Sequence, residues 1–167
     1  VCCGQITVHQ ADYRAVDVAA EQRAALLAAH PQLTKLEAGF RSRFETDAQK
    51  PFLAALAVLN ENYVNTGIAR ARAAAQARGS LAEVTALDAE KTAITTGRSV
   101  PDDDADTTPA SLRTLRGTYR AELAKITAAR AAKSVPLIDI YLKEIDAYMA
   151  DLTKGGRVAE AKQVSTL

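Results

Sequence analysis

Three aspartates stand at alternate positions in one segment, a spacing found at the start of calcium-binding loops. Asp102, Asp104 and Asp106 would supply carboxylate oxygens, which are the ligands that Ca²⁺ prefers. The sixth residue of such a loop is glycine and the twelfth is glutamate, whereas Thr107 and Arg113 stand there in this chain. We therefore expect a solvated acidic loop whose charge favours the start of the next helix, with weak calcium binding as the alternative.

Three arginines follow this loop at spacings of three and four residues. Arg113, Arg116 and Arg120 would share one helix face, where guanidinium groups can contact phosphates or an acidic partner. Nucleic-acid-binding proteins normally have a surplus of positive charge, but this chain has 21 basic and 20 acidic residues. We therefore expect a solvated arginine face and no nucleic-acid partner.

The two cysteines, Cys2 and Cys3, are adjacent and are the only ones in the chain. Two neighbouring thiols cannot complete a four-ligand zinc site by themselves. Three interpretations stay open: a terminus without a role, a vicinal bridge or metal capture, and a disulfide between subunits. The last would suit an exported protein, because disulfides persist in oxidising compartments.

The chain begins at Val1 rather than at methionine, from which we expect either a processed, exported product or an excised fragment. A Val-Cys-Cys-Gly start fits cleavage after a small-residue signal site. The longest apolar run covers residues 52–59, far short of the roughly 18 residues of a membrane span. We expect no membrane span and a periplasmic, cell-surface or extracellular location.

Groups that could transfer protons or attack a substrate are few. His9 and His30 are far apart in the sequence, and neither lies in an acid–base or metal motif. The chain also has no glycine-rich phosphate loop and no Gly-x-Ser-x-Gly elbow. We therefore predict a protein that is not an enzyme, with no catalytic residue, no metal site and no cofactor.

The composition predicts the elements that would have to position any site. The chain has 35 alanines against 37 residues of Leu, Ile, Val and Phe together. Alanine has the highest helix propensity but buries little surface. A chain of 167 residues suits one domain. We therefore expect an all-α domain of long, closely packed helices.

Glycine, proline and helix-capping residues predict an extended arm, residues 1–13, and one helical domain, residues 14–167. A first helix is expected over 14–29 and a long one over 32–78, kinked at Pro51. Gly79 should cap it, and Ser80 with Glu83 should form a capping box for a helix over 81–94. After a linker over 95–108, Thr108 should cap a second long helix that is kinked at Pro136 and ends at Gly155-Gly156. A short helix over 158–164 completes the chain.

Large side chains in the long helices recur at spacings of three and four, which predicts a packing stripe. Its members are Leu36, Phe40, Phe44, Leu56, Tyr63, Leu112, Leu115, Tyr119, Leu123, Ile126, Tyr141, Ile145, Tyr148 and Leu152. The matching order of helix, proline and glycine predicts an approximate internal repeat of residues 32–94 and 109–167. Together these features predict an elongated antiparallel helical hairpin or bundle, with two long proline-kinked helices, short flanking helices and an extended N-terminal arm.

Several of these segments resemble a known kind of helical region. They are residues 60–63 with 73–79, and then 108–119, 129–137, 141–145 and 152–156. Residues 36–167 are similar to alanine-rich helical regions of bacterial envelope and secreted proteins. The resemblance implies a coiled-coil stalk or interaction module, and it implies no catalytic residues.

We therefore expect an exported structural subunit that self-associates into a homo-oligomer or filament by helical packing, with the stripe shared between subunits. The alternative is a helical binding or adaptor module for a protein or glycan partner at the cell envelope.

Overall fold

The computed structural model describes residues 21–166, and every regular element among them is helical. Helix accounts for 84% of the structure, which confirms the all-α prediction. The predicted arm over residues 1–13, with Cys2, Cys3 and His9, lies outside the described residues.

Seven α-helices follow one another along the described chain. They are α1 (residues 21–29), α2 (Pro31–Phe44), α3 (Lys50–Asn62), α4 (Ala69–Ala77), α5 (Leu81–Thr95), α6 (Ala110–Lys154) and α7 (Val158–Val164). Two π-helical segments, Glu45–Gln49 and Tyr63–Ile68, connect α2 to α3 and α3 to α4.

The first long helix is present as a helical run from Pro31 to Ala77, but its geometry is not α-helical throughout. Pro51 has no backbone N–H, and its ring excludes the carbonyl of the preceding turn. The π-helical segment Glu45–Gln49 lies immediately before α3, at the turn that must accommodate this ring. The second segment, Tyr63–Ile68, contains no proline, and three of its side chains are buried.

Glycine ends the helices at two of the predicted positions. Gly79 has φ +71°, and the N–H of Ser80 donates to the carbonyl of Ala75 at 3.0 Å. Gly156 has φ +74°, and the N–H of Arg157 donates to the carbonyl of Leu152 at 2.8 Å. Both are Schellman-type caps, in which glycine adopts the left-handed conformation at little steric cost.

The capping box predicted at the start of α5 does not form. Ser80 precedes the helix, but its side chain makes no cap hydrogen bond. The Glu83 carboxylate accepts hydrogen bonds from the Ser111 hydroxyl and from Arg78 Nη2, the latter at 2.8 Å. A hydrogen bond from a guanidinium is stronger than one from a neutral amide, so the Glu83 carboxylate is held mainly by these side chains rather than by the backbone of the helix end.

The helices pack into two compact units. The central unit consists of residues 45–134. Its core combines side chains of the second π-helical segment, α4, α5, the following loop and α6, and Leu59 of α3 packs against it. The buried members are Tyr63, Val64, Ile68, Ala75, Leu87, Ile94, Val100, Leu112 and Tyr119.

The terminal unit consists of the described residues 21–44 and 135–166. Its core is smaller and joins α2, the second part of α6 and α7. The buried members are Leu33, Ile145, Leu152, Ala161 and Val164, with Leu26 and Leu27 of α1 packed against them. The terminal unit therefore combines segments that are far apart in the sequence, whereas the central unit is one continuous stretch. The boundaries of the predicted repeat do not coincide with those of the units.

Candidate functional site

The most connected polar cluster in the described chain lies in the central unit, around Glu90 of α5. This carboxylate is only 5% exposed. Arg116 of α6 binds it through two parallel hydrogen bonds, Nε to Oε1 at 3.0 Å and Nη2 to Oε2 at 2.6 Å. The Tyr63 hydroxyl donates to Oε1 at 2.9 Å. Glu90 is thus a buried anion with a bidentate cationic partner and a third donor.

The same arginine extends the cluster to the loop that precedes α6. Arg116 Nη1 donates to Asp104 Oδ1 at 3.1 Å, and Arg120 Nη2 donates to Oδ2 of the same carboxylate at 2.7 Å. Arg120 Nη1 also donates to the carbonyl of Pro101 at 2.9 Å. Two arginines of one helix face therefore hold the acidic loop at both carboxylate oxygens.

These contacts change the pKa of the groups that make them. Burial, followed by the neighbouring Glu90 carboxylate, raises the pKa of the Tyr63 phenol. The hydrogen bond from Arg120 holds the pKa of Asp104 below its usual 3.8, and Arg116 acts in the same direction. The hydrogen bonds that Arg116 donates to the Glu90 carboxylate raise the pKa of its guanidinium. All three groups are held in the protonation state that they have at neutral pH.

The cluster corrects the interpretation of the arginine face as solvated. Arg116 has a side chain only 13% exposed, and Arg120 is 30% exposed. Arg113 alone is an exposed member, and its Nη2 donates to the carbonyls of Asp106 and Thr108. The interpretation as a solvated face is therefore wrong for Arg116, because α5 supplies a buried carboxylate that the local sequence does not show.

The aspartates considered for calcium do not converge on one point. Asp104 is used by the two arginines, whereas Asp102 and Asp106 are exposed. Among residues 21–166, no three His, Cys, Asp or Glu side chains are arranged to hold a metal ion.

An open groove of about 330 Å³ runs over the Glu90 cluster and is lined by Thr107, Thr108 and Pro109. Three of the roughly four acceptor sites of the Glu90 carboxylate are already used by Arg116 and Tyr63. The geometry is that of an ion-pair clamp that fixes the loop to α5 and α6.

A second polar site lies in the terminal unit, around His30. Its ring is 1% exposed, and Nδ1 lies 3.1 Å from the Tyr148 hydroxyl. Glu160 Oε2 is 3.9 Å from the same nitrogen. Nε2 is buried without a hydrogen-bond partner. His30 thus links the end of α1 to α6 and α7.

The terminal unit also contains a groove of about 140 Å³ between α2 and α6. Phe40 and Tyr141 stack across it, with ring centroids 4.9 Å apart. Lys35 and Arg43 lie at its α2 side, and Glu144 lies at its α6 side. The groove is thus lined by apolar side chains that lie between charged edges.

All members of the packing stripe are buried or half-buried. In the central unit, Tyr63 and Tyr119 lie with ring centroids 4.9 Å apart. In the terminal unit, Ile145 and Leu152 are core members. The stripe residues therefore pack within the two units, and their sharing between subunits stays a prediction.

A different set of large apolar side chains is exposed. It comprises Leu53, Val58, Leu81, Val135, Ile138, Ile140, Leu142 and Val158. Three of them, Val135, Ile138 and Leu142, follow one another on α6 at spacings of three and four residues and therefore form one continuous face.

No family model, curated protein or solved structure matches this chain. The resemblance to alanine-rich envelope regions therefore stays a prediction. Within residues 21–166, none of the helices is both long and apolar enough to cross a bilayer.

Proposed function

We propose that this protein is an exported, non-enzymatic structural subunit that self-associates through its helices into an oligomer or filament. In the same proposal, the two long helical runs fold back on each other as an antiparallel hairpin that bends at Pro51 and Pro136.

The observation that supports this proposal best is the exposed apolar face of α6. Val135, Ile138 and Leu142 are 54%, 40% and 51% exposed. Exposed apolar side chains scattered singly are ordinary, but a contiguous face marks a surface that another molecule covers. Among the described residues of the terminal unit, to which this face belongs, five apolar side chains form the buried core, so burying the face would add appreciably to the apolar contacts.

The polar clusters support a structural role as well. The buried carboxylate, guanidinium and phenol of the central unit satisfy one another, and they fix a loop and two helices. Such closed networks specify one packing arrangement, which a repeating assembly needs.

The experiment is a measurement of molar mass over a range of concentrations, by size-exclusion chromatography with light scattering, together with negative-stain imaging. We expect a mass above that of one chain, rising with concentration, and regular particles or fibres. A chain that stays monomeric at micromolar concentration would overturn the proposal. Recovery of a distinct envelope protein or glycan by that monomer would support the alternative of a binding module.

A further inference from the structure

The exposed apolar face of α6 has an acidic edge. Asp139 is one turn from Val135, and Asp146 is one turn from Leu142, both at a spacing of four residues. Both aspartates are exposed, and neither forms an ion pair with another described residue. The exposed Lys143 lies four residues after Asp139 and three before Asp146, so this edge carries one net negative charge. We call Val135, Ile138, Asp139, Leu142 and Asp146 the acidic flank.

The groove between α2 and α6 has the opposite charge along its α2 edge. Lys35 and Arg43 are exposed and form no ion pair with another described residue. Glu144, at the other edge, leaves the groove with one net positive charge. We call this surface the basic groove.

The basic groove has the size of a side-chain pocket. Its volume is about 140 Å³, and a cavity of about 150 Å³ holds a benzene-sized group. Gly39 opens its α2 side, since a Cβ atom placed there would meet nothing within 4 Å. The floor includes Leu36 and Ile140, so it offers apolar contact to an inserted aliphatic residue.

We propose that the acidic flank of one copy binds the basic groove of a second copy, which names the contact within the self-association proposed above and rests on it. Ile138 or Leu142 would fill the groove, and Asp139 and Asp146 would lie near Lys35 and Arg43. Pairing flank with flank, or groove with groove, would instead bring like charges together, which is unfavourable. The occupant is therefore a second copy, bound flank to groove.

A contact between two different surfaces can be made once or twice between a pair of copies. Made once, it leaves a free flank and a free groove, so the chain of contacts extends as a filament or closes as a ring; made reciprocally, it closes as a two-fold dimer. Each of these assemblies is an oligomer or filament of the proposed kind, and the molar mass distinguishes them.

Charge reversal in the full chain tests the contact. The flank variant is Asp139→Lys with Asp146→Lys, and the groove variant is Lys35→Asp with Arg43→Asp. Each alone should lower the association constant on the order of tenfold or more, because like charges then face each other. An equimolar mixture of the two should regain it, since each reversed surface then meets an oppositely charged one.

The control is Asp102→Lys with Asp103→Lys, which makes the same charge change as the flank variant on an exposed loop. It should associate like the parent chain, and circular dichroism should show all variants equally helical. If the parent chain associates but the mixture does not regain association, the flank–groove contact is wrong and self-association stands. If the parent chain is monomeric, the proposed function itself fails.

Discussion

The Glu90 carboxylate accepts three hydrogen bonds, two from Arg116 and one from Tyr63. Burying two opposite charges costs desolvation energy that their attraction offsets only when the geometry is good. Removing one partner is different, because the other remains as a buried charge without compensation. Glu90 and Arg116 together therefore add less to the free energy of unfolding than the removal of either one alone would subtract.

Replacing Arg116→Met should therefore destabilise the chain strongly, by about 3–5 kcal/mol. Arg113→Met removes only exposed bonds to loop carbonyls and should cost less than about 1 kcal/mol. Urea denaturation of both variants measures the difference. Adding Glu90→Leu to Arg116→Met should restore much of the lost stability; a double variant as unstable as the single one would contradict the explanation.

Asp104 makes the free energy of unfolding depend on pH in the acid range. Arg120 and Arg116 lower the pKa of this carboxyl in the folded chain, so the stabilisation that it provides is complete above its usual pKa of 3.8. That stabilisation is lost as the pH falls through the lower pKa of the folded state. Asp104→Asn should thus be less stable than the parent at pH 7, and the two should converge in strong acid. Denaturation curves across the acid range check this.

The matched control for that series is Asp103→Asn, which changes an exposed aspartate in the same loop. Its stability should follow that of the parent chain at every pH. A parallel loss of stability in both variants would mean that general loop charge, rather than the arginine contacts, is responsible.

One residue of the cluster has a signal in the sequence that our predictions did not use. Leu87, Glu90 and Ile94 are spaced by three and four, so the glutamate falls on the apolar face of α5. A charge in that position needs a partner when buried. Its partner Arg116 lies 26 residues away on another helix, a pairing that only the packing of α5 against α6 decides.

At the scale of the element, helix ends were predictable because glycine and proline act locally. Gly79 and Gly155-Gly156 end helices where the sequence predicts, and α6 continues through Pro136. The π-helical segments were not predictable. Apolar spacing of three and four continues through them, because they change the winding of the helix and leave the residue pattern in place.

Gly79→Ala should destabilise the chain by about 1–2 kcal/mol, because its φ of +71° is unfavourable for a residue with a Cβ atom. Space is not the cause, since that atom would meet nothing within 4 Å. Gly117→Ala is the matched control within α6: it is equally unhindered, has no positive φ, and should stabilise by about 0.5–1 kcal/mol. Thermal unfolding compares the two, and shifts of the same sign would contradict this explanation.

For the whole molecule, the sequence indicated which face of each helix is apolar but not which helix covers it. Leu33 of α2 and Leu152 of α6 meet in one core although more than a hundred residues separate them. The predicted stripe therefore located the interior, while the exposed α6 face was found only once the packing was known.

Exposed apolar residues on the proposed contact should matter more for assembly than equally exposed ones elsewhere. Ile138→Ser with Leu142→Ser should lower the mass measured by light scattering and leave the unfolding temperature nearly unchanged. Leu53→Ser with Val58→Ser alters side chains 48% and 56% exposed on α3 and is the matched control. Equal loss of assembly in both would show that general hydrophobicity, rather than this surface, drives association.

The placement of the tyrosines gives each unit its own spectroscopic reporter, since the chain has no tryptophan. Tyr63 and Tyr119 belong to the central unit, and Tyr141 and Tyr148 belong to the terminal unit. Burial raises the pKa of both phenols of the central pair, so alkaline titration followed by ultraviolet absorbance should show them ionising late. Tyrosine-to-phenylalanine variants would then assign each optical transition to one unit, and the order in which the two units melt could be followed in a single cuvette.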